Sequence, residues 1–141
     1  LQGFIDYHRN KHSKLTVLSA ITPAPTGYGR IIRNSDGDFI KIVEEKDASE
    51  DEKLVKEINS GTYLVKSDLL FSALSKVNNQ NAQGEYYLTD IVEIIKNEGF
   101  ESPAFCAPVA VLLLPLEIIT WLKLSDRKKK RKKKNQTSAV K

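Results

Sequence analysis

The sequence predicts an α/β domain. Short runs rich in β-branched and apolar residues alternate with stretches whose apolar residues recur at helical spacing. Clusters of Gly, Pro and Asn separate the two kinds of segment. The 141 residues suffice for one modest domain. An apolar content of 40% and a charged content of 28% fit a globular chain.

Residues 1–13 place Phe4, Ile5 and His8 at helical spacing and predict the end of an amphipathic helix. Leu15–Ile21 reads as a buried strand. Thr22–Tyr28, with two prolines and a glycine, is a loop. Gly29–Arg33 and Phe39–Glu45 are strand-like, and Asn34-Ser35-Asp36-Gly37 between them marks a hairpin. A short exposed helix is expected over Ala48–Lys56 and a strand over Ile58–Val65. Ser67 is placed to cap a helix running through Leu69, Leu70, Leu74 and Val77. Thr89 or Asp90 is placed to cap the next, which carries Ile91, Ile94 and Ile95 on one face and has Gly99 just past its end. Ala104–Ala107 is the last expected strand.

The net charge of +4 conceals two unlike parts. Residues 126–141 hold nine Lys or Arg against one Asp, a charge of +8, so the other 125 residues sum to −4. The body of the chain therefore gives no electrostatic reason to expect a nucleic-acid partner. Val109–Leu122 is nearly continuously apolar and precedes eight consecutive basic residues, Arg127–Lys134. That pairing imitates a membrane segment with a positive flank. The run is shorter than the roughly 20 residues of a span and contains Pro115 and Glu117, so a membrane partner is not expected. The single cysteine, Cys106, excludes an internal disulfide and is compatible with a cytoplasmic location.

Several segments have side chains suited to chemistry. His8 and His12 are four apart, but Arg9 stands where the helical zinc pattern has Glu, which favours a solvated helix end. Pro25-Thr26-Gly27-Tyr28-Gly29-Arg30 lets backbone approach a ligand closely, and equally makes a tight turn before a hairpin. Glu44 and Glu45 end a strand; one carboxylate can accept from sugar hydroxyls, and its neighbour points to the opposite face. Asn59-Ser60-Gly61 sets an amide beside a flexible glycine, which suits an acetamido or hydroxyl group or a plain turn. Residues 81–90 gather polar groups, Tyr86, Tyr87 and a helix start, which suits a sugar face or a capped helix with core aromatics.

In series, PTGYGRI, IVEEKDA, EINSGTY and NAQGEYYLTDIV are similar to successive motifs of the uridyltransferase domain of bacterial GlmU proteins. The resemblance covers about residues 3–107 and extends more loosely to the sugar-1-phosphate nucleotidyltransferases. It implies a Rossmann-like, doubly wound α/β fold that lacks its N-terminal nucleotide-binding part. It also implies a reaction. N-acetylglucosamine 1-phosphate attacks the α-phosphorus of UTP, giving UDP-N-acetylglucosamine and pyrophosphate for cell-envelope precursors. Such transfers depend on positioning and charge neutralisation.

Carried over by the resemblance, Gly29 would contact the sugar nucleotide through its backbone. Glu44 would hold sugar hydroxyls, and Asn59 the sugar portion. Tyr87 and Thr89 would lie near the sugar and its acetamido group. No residue is assigned to catalysis. Mg2+ serves the full-length family, and its ligands are expected outside this chain, as is the Gly-rich loop that cradles the triphosphate. The chain contains no Met and opens directly into a helix, which marks it as a fragment. After Pro108 the family has a Gly-Val-Asn core, whereas this sequence reads Val109-Ala110-Val111-Leu112-Leu113-Leu114-Pro115. Residues 1–108 are thus expected to be the middle and late part of the domain, and 109–141 an atypical apolar, then polybasic tail from a shifted reading frame or an altered end. Two further functions fit: a remnant that holds sugar nucleotide without turnover, and an interaction protein anchored through residues 109–134.

Overall fold

A strand that is apolar on both faces must be covered on both, and Leu15–Ile21 (β1) is buried at six of its seven positions. It lies inside a five-stranded sheet, flanked by Glu57–Val65 (β4) running antiparallel and Ala104–Ala107 (β5) running parallel. Arg30–Arg33 (β2) and Phe39–Val43 (β3) form an antiparallel hairpin that completes the order β3-β2-β4-β1-β5. The computed structural model describes residues 1–107. The boundary expected at 108/109 and every expectation about the tail lie outside the described residues.

The side chains of β1 alternate between two cores. Leu15 and Val17 join Ile31, Phe39, Ala73, Ile91, Val92, Ile95 and Ala104 beneath helices Ser67–Leu74 (α3) and Asp90–Asn97 (α4). Leu18 points the other way and packs with Ala107 and Phe4 of helix Gln2–Asn10 (α1). Helices therefore cover both faces, as the α/β reading requires. Among the described residues no helix is long and apolar enough to cross a membrane.

The turn at residues 34–37 is held by one side chain. Asn34 Oδ1 accepts from the backbone N–H of Asp36 at 3.0 Å and of Asp38 at 2.8 Å, and Gly37 takes a φ of +86°. A second irregularity shapes β4. Leu18 faces Thr62 and Ser19 faces Asn59, so Ser60 and Gly61 have no partner across the ladder. Ser60 Oγ donates to the Leu18 carbonyl at 2.7 Å, and Gly61 turns at φ +72°. This bulge re-aims the strand next to Asn59.

Helix boundaries differ from expectation in four places. The helix over Ala48–Lys56 shrinks to Glu50–Lys53 (α2), fixed by a capping box in which Ser49 Oγ and the Glu52 carboxylate each satisfy the other's backbone N–H. Ser67 is not a cap: Lys66 holds that position, and Asp68, paired with Lys66, accepts from the Leu69 N–H. That helix ends at Leu74, short of Val77. Thr89 stands at the cap position of α4 in helical conformation, and its hydroxyl makes no cap bond.

Candidate functional site

The loops after β1 and β3, the bulge in β4 and the start of α4 converge on one end of the sheet. Glu44 follows β3 directly. A Cβ placed on Gly29 would sit 3.3 Å from both carboxylate oxygens of Glu44 and 3.2 Å from Ile42 Cγ2. The carboxylate thus lies against bare backbone, and the absent side chain makes room for it. Thr89 Oγ1 donates to Glu44 Oε1 at 2.9 Å. Among the described residues Glu44 Oε2 receives no hydrogen bond, and the residue is half-buried.

Asn59 joins the same end through backbone and side chain. Its N–H donates to the Gly29 carbonyl at 2.8 Å. Its Oδ1 accepts from the Gly61 N–H at 3.0 Å, and its Nδ2 donates to the Tyr63 hydroxyl at 2.7 Å. Burial pushes the Tyr63 phenol above its ordinary range; the Asn59 bond pulls it back in part, and the Glu44 charge pushes it further up. Tyr63 is therefore a neutral phenol at pH 7, close enough to Glu44 to sense its charge.

Glu45 turns away from Glu44, as adjacent side chains do. Its carboxylate accepts from Arg30 at 2.5 Å and from the Gly27 N–H at 3.2 Å. The Arg30 guanidinium, 1% exposed, also donates to the Tyr28 carbonyl. This arrangement is structural: it fixes the Thr26–Gly29 loop so that the Gly29 backbone can meet Glu44 and Asn59.

The loop over residues 81–85 is folded around Asn81, whose Oδ1 accepts from Gln83 N and Glu85 N and whose Nδ2 donates to the Glu85 carbonyl. Asp47 Oδ1 accepts from Ala82 N at 2.8 Å and ties this loop to the segment after Glu44. Tyr87 belongs to that loop: its hydroxyl accepts from Gln83 Nε2 at 2.8 Å. Four of the five expected site residues, Gly29, Glu44, Asn59 and Thr89, are linked by direct contact. Tyr87 stands two residues away from Thr89, with its hydroxyl engaged elsewhere.

The electrostatics select among ligands. Asp90 is pushed above its ordinary range by burial, then by Glu93, Glu44 and Asp47. Several carboxylates therefore share the start of α4. Their field repels phosphate and suits neutral hydroxyl or amide donors.

Two residues of this end went unread in the sequence. Tyr63 shares a strand with Asn59, and the glycine inside that strand is the signal of a bulge that brings them together. Arg30 sits in a motif read for its glycines, and a buried cation demands an acid partner. The histidine pair does not form a site. His12 lies past the end of α1 at φ +50°, while His8 Nδ1 is hydrogen-bonded to Thr16 Oγ1 at 2.8 Å. Among the described residues no three Asp, Glu, His or Cys side chains converge as metal ligands.

The family model described as nucleotidyl transferase matches residues 1–121. The bifunctional protein GlmU of Geobacillus thermodenitrificans is 55% identical over 108 residues, covering 77% of this chain and 24% of that protein. GlmU of Caldanaerobacter subterraneus is 59% identical over 99 residues, and that of Bacillus subtilis 54% over 99; each alignment covers 70% of this chain and 22% of the relative. The chain thus spans about a quarter of the length of these relatives. Among solved structures, a Bacillus anthracis protein described as a glucose-1-phosphate thymidylyltransferase, in complex with a sucrose, superposes with a TM-score of 0.56 at 21% identity. The match covers 76% of this chain and 40% of that one, and at this identity it speaks for the fold alone.

Proposed function

The chain belongs to the nucleotidyl transferase family, and from that premise we propose that its described residues form the acceptor-sugar side of a uridyltransferase site. The substrate held here is N-acetylglucosamine 1-phosphate, or the sugar half of the product UDP-N-acetylglucosamine. In the complete reaction an oxygen of the sugar phosphate bonds to the α-phosphorus of UTP, and the bond to pyrophosphate breaks. The product serves cell-envelope precursor synthesis in the cytoplasm. Turnover is expected only from a chain that also carries a Gly-rich triphosphate loop, which these 141 residues do not contain.

The observation that carries this reading is the Glu44 carboxylate, set against Gly29, held by Thr89 on one oxygen and without a hydrogen bond from the described residues on the other. A fixed carboxylate with a free oxygen makes charge-assisted hydrogen bonds to sugar hydroxyls, stronger than those between neutral groups. Asn59, pinned at both ends beside it, adds an amide donor. The test is isothermal titration of the full chain with UDP-N-acetylglucosamine, UDP-glucose and UMP. Binding that prefers UDP-N-acetylglucosamine and weakens in Glu44→Ala supports the assignment. Equal affinity of parent and variant, or no binding by the parent, overturns it.

A further inference from the structure

We infer that Tyr63 is a positioning residue of this sugar site, acting by locking the side-chain amide of Asn59; the inference rests on the reading of Asn59 as a sugar ligand. The two ends of an asparagine amide are alike in shape and opposite in function, so its partners decide which end faces a ligand. The Gly61 N–H can only donate, and it lies 3.0 Å from one end of the Asn59 amide, which must therefore be the oxygen. The nitrogen then meets the Tyr63 hydroxyl at 2.7 Å, which accepts. Flipping the amide would set the Gly61 N–H against an NH2 group and lose that bond, even though the Tyr63 hydroxyl could turn to donate to the oxygen. One hydrogen of Nδ2 is thereby committed to Tyr63, and the other is the only amide hydrogen left to offer a ligand.

Tyr63 is suited to this task because it is anchored itself. Its ring packs against the core formed by Leu15, Val17 and the helices. The unpaired Ser60 and Gly61 bulge the strand between Asn59 and Tyr63, four residues apart. A ligand-binding side chain held by a neighbour that is fixed by packing keeps its productive rotamer. Without the phenol oxygen, the Asn59 amide keeps only the Gly61 contact and turns about its last torsion.

The variant Tyr63→Phe in the full chain tests this, with Asn59→Ala and the double variant beside it. Without ligand, the side-chain NH2 signals of Asn59 in a proton–nitrogen NMR spectrum should shift, while the dispersed backbone signals stay in place. With UDP-N-acetylglucosamine, the Kd of Tyr63→Phe should rise about 5- to 10-fold, the loss of one hydrogen bond's worth of order. The double variant should bind no more weakly than Asn59→Ala alone, because Tyr63 acts through Asn59. Unchanged Asn59 amide signals in a folded Tyr63→Phe, unchanged affinity, or additive losses in the double variant would each overturn the inference while leaving the sugar site intact. No binding by the parent chain would overturn the reading of the site and this inference with it. If Tyr63→Phe unfolds the chain, 3-fluorotyrosine at position 63, which keeps the ring and weakens its hydroxyl as an acceptor, must give the same amide shift.

Discussion

Thr89 Oγ1 donates to Glu44 Oε1 at 2.9 Å and so joins two residues 45 positions apart. Thr89 does not do what its immediate sequence context asks of it. Thr89 stands where a helix cap belongs and gives its hydroxyl to a distant carboxylate instead. Such a departure from local preference is expected where function sets the geometry.

That bond sets the first expectation. Thr89→Val keeps the shape of the side chain and removes the donor. Glu44 then keeps its charge and loses its tether. Affinity for UDP-N-acetylglucosamine should fall by a factor of about 3 to 10, corresponding to a hydrogen bond of ~1 kcal/mol. Glu44→Ala removes the acceptor itself and should cost about 1.5 to 3 kcal/mol of sugar binding. Titration calorimetry on both variants gives the order. A Thr89→Val effect larger than that of Glu44→Ala would contradict it.

Gly29→Ala tests the close approach. The added methyl would meet two carboxylate oxygens at 3.3 Å and Ile42 Cγ2 at 3.2 Å. The Glu44 side chain can swing away, so the chain should still fold while the carboxylate leaves its place. We expect sugar-nucleotide affinity to drop about tenfold, equivalent to ~1.4 kcal/mol, with little change in melting temperature. A normal Kd in this variant would show that the Gly29–Glu44 contact is incidental.

Glu45 separates binding from stability. Glu45→Ala should leave sugar affinity nearly unchanged once the chain is folded, because its carboxylate faces Arg30 and Gly27. It should nevertheless lower the melting temperature, since Arg30 stays buried without its acid partner. Glu44→Ala should show the reverse pattern. Melting curves and titrations on the same two proteins would expose any exchange of roles.

Much of the fold was legible because the local signals agree with one another. β1 and β5 begin and end where their apolar runs do, and the 34–37 turn uses the Asn and Gly that announced it. Helix ends were harder to place. Ser67 and Thr89 are capping residue types, yet Lys66 and Asp68 settle one terminus between them, and Glu44, just past β3, claims the hydroxyl at the other. At the candidate site, Gly29, Glu44, Asn59 and Thr89 are read as a set through motif order, not physics. Composition and spacing alone leave Gly29 and Asn59 open to being turns and Thr89 a cap, and offer Glu44 only as one of two strand-end carboxylates. Tyr63 escaped because its partner depends on two residues bulging out of a strand, which no period-two count anticipates.

The last expectation concerns acid. Glu52 accepts from Lys41 at 2.8 Å and from the Ser49 N–H at 2.9 Å. The Lys41 hydrogen bond foremost, then the Ser49 N–H, lowers its carboxyl from 4.5 to about 2. Arg30 likewise lowers Glu45, and Lys66 lowers Asp68. For each, the unfolded chain binds a proton at a pH where the folded one does not. Stability from these groups is therefore full above the unfolded carboxyl range and is lost as pH falls through the folded one. Asp90, raised by burial, works in the opposite sense: it costs stability near neutrality and recovers it as it protonates. The melting temperature of the parent chain thus mixes several contributions, and a difference curve isolates one. Gln at position 52 can still accept and still complete the capping box, but it carries no charge for Lys41. The parent should melt higher than Glu52→Gln at about pH 6, and the gap should close steadily between about pH 4.5 and pH 2, as this linkage requires. A gap that stays constant across that window would mean that Glu52 contributes shape alone, and that the Lys41 pair is too well solvated to matter.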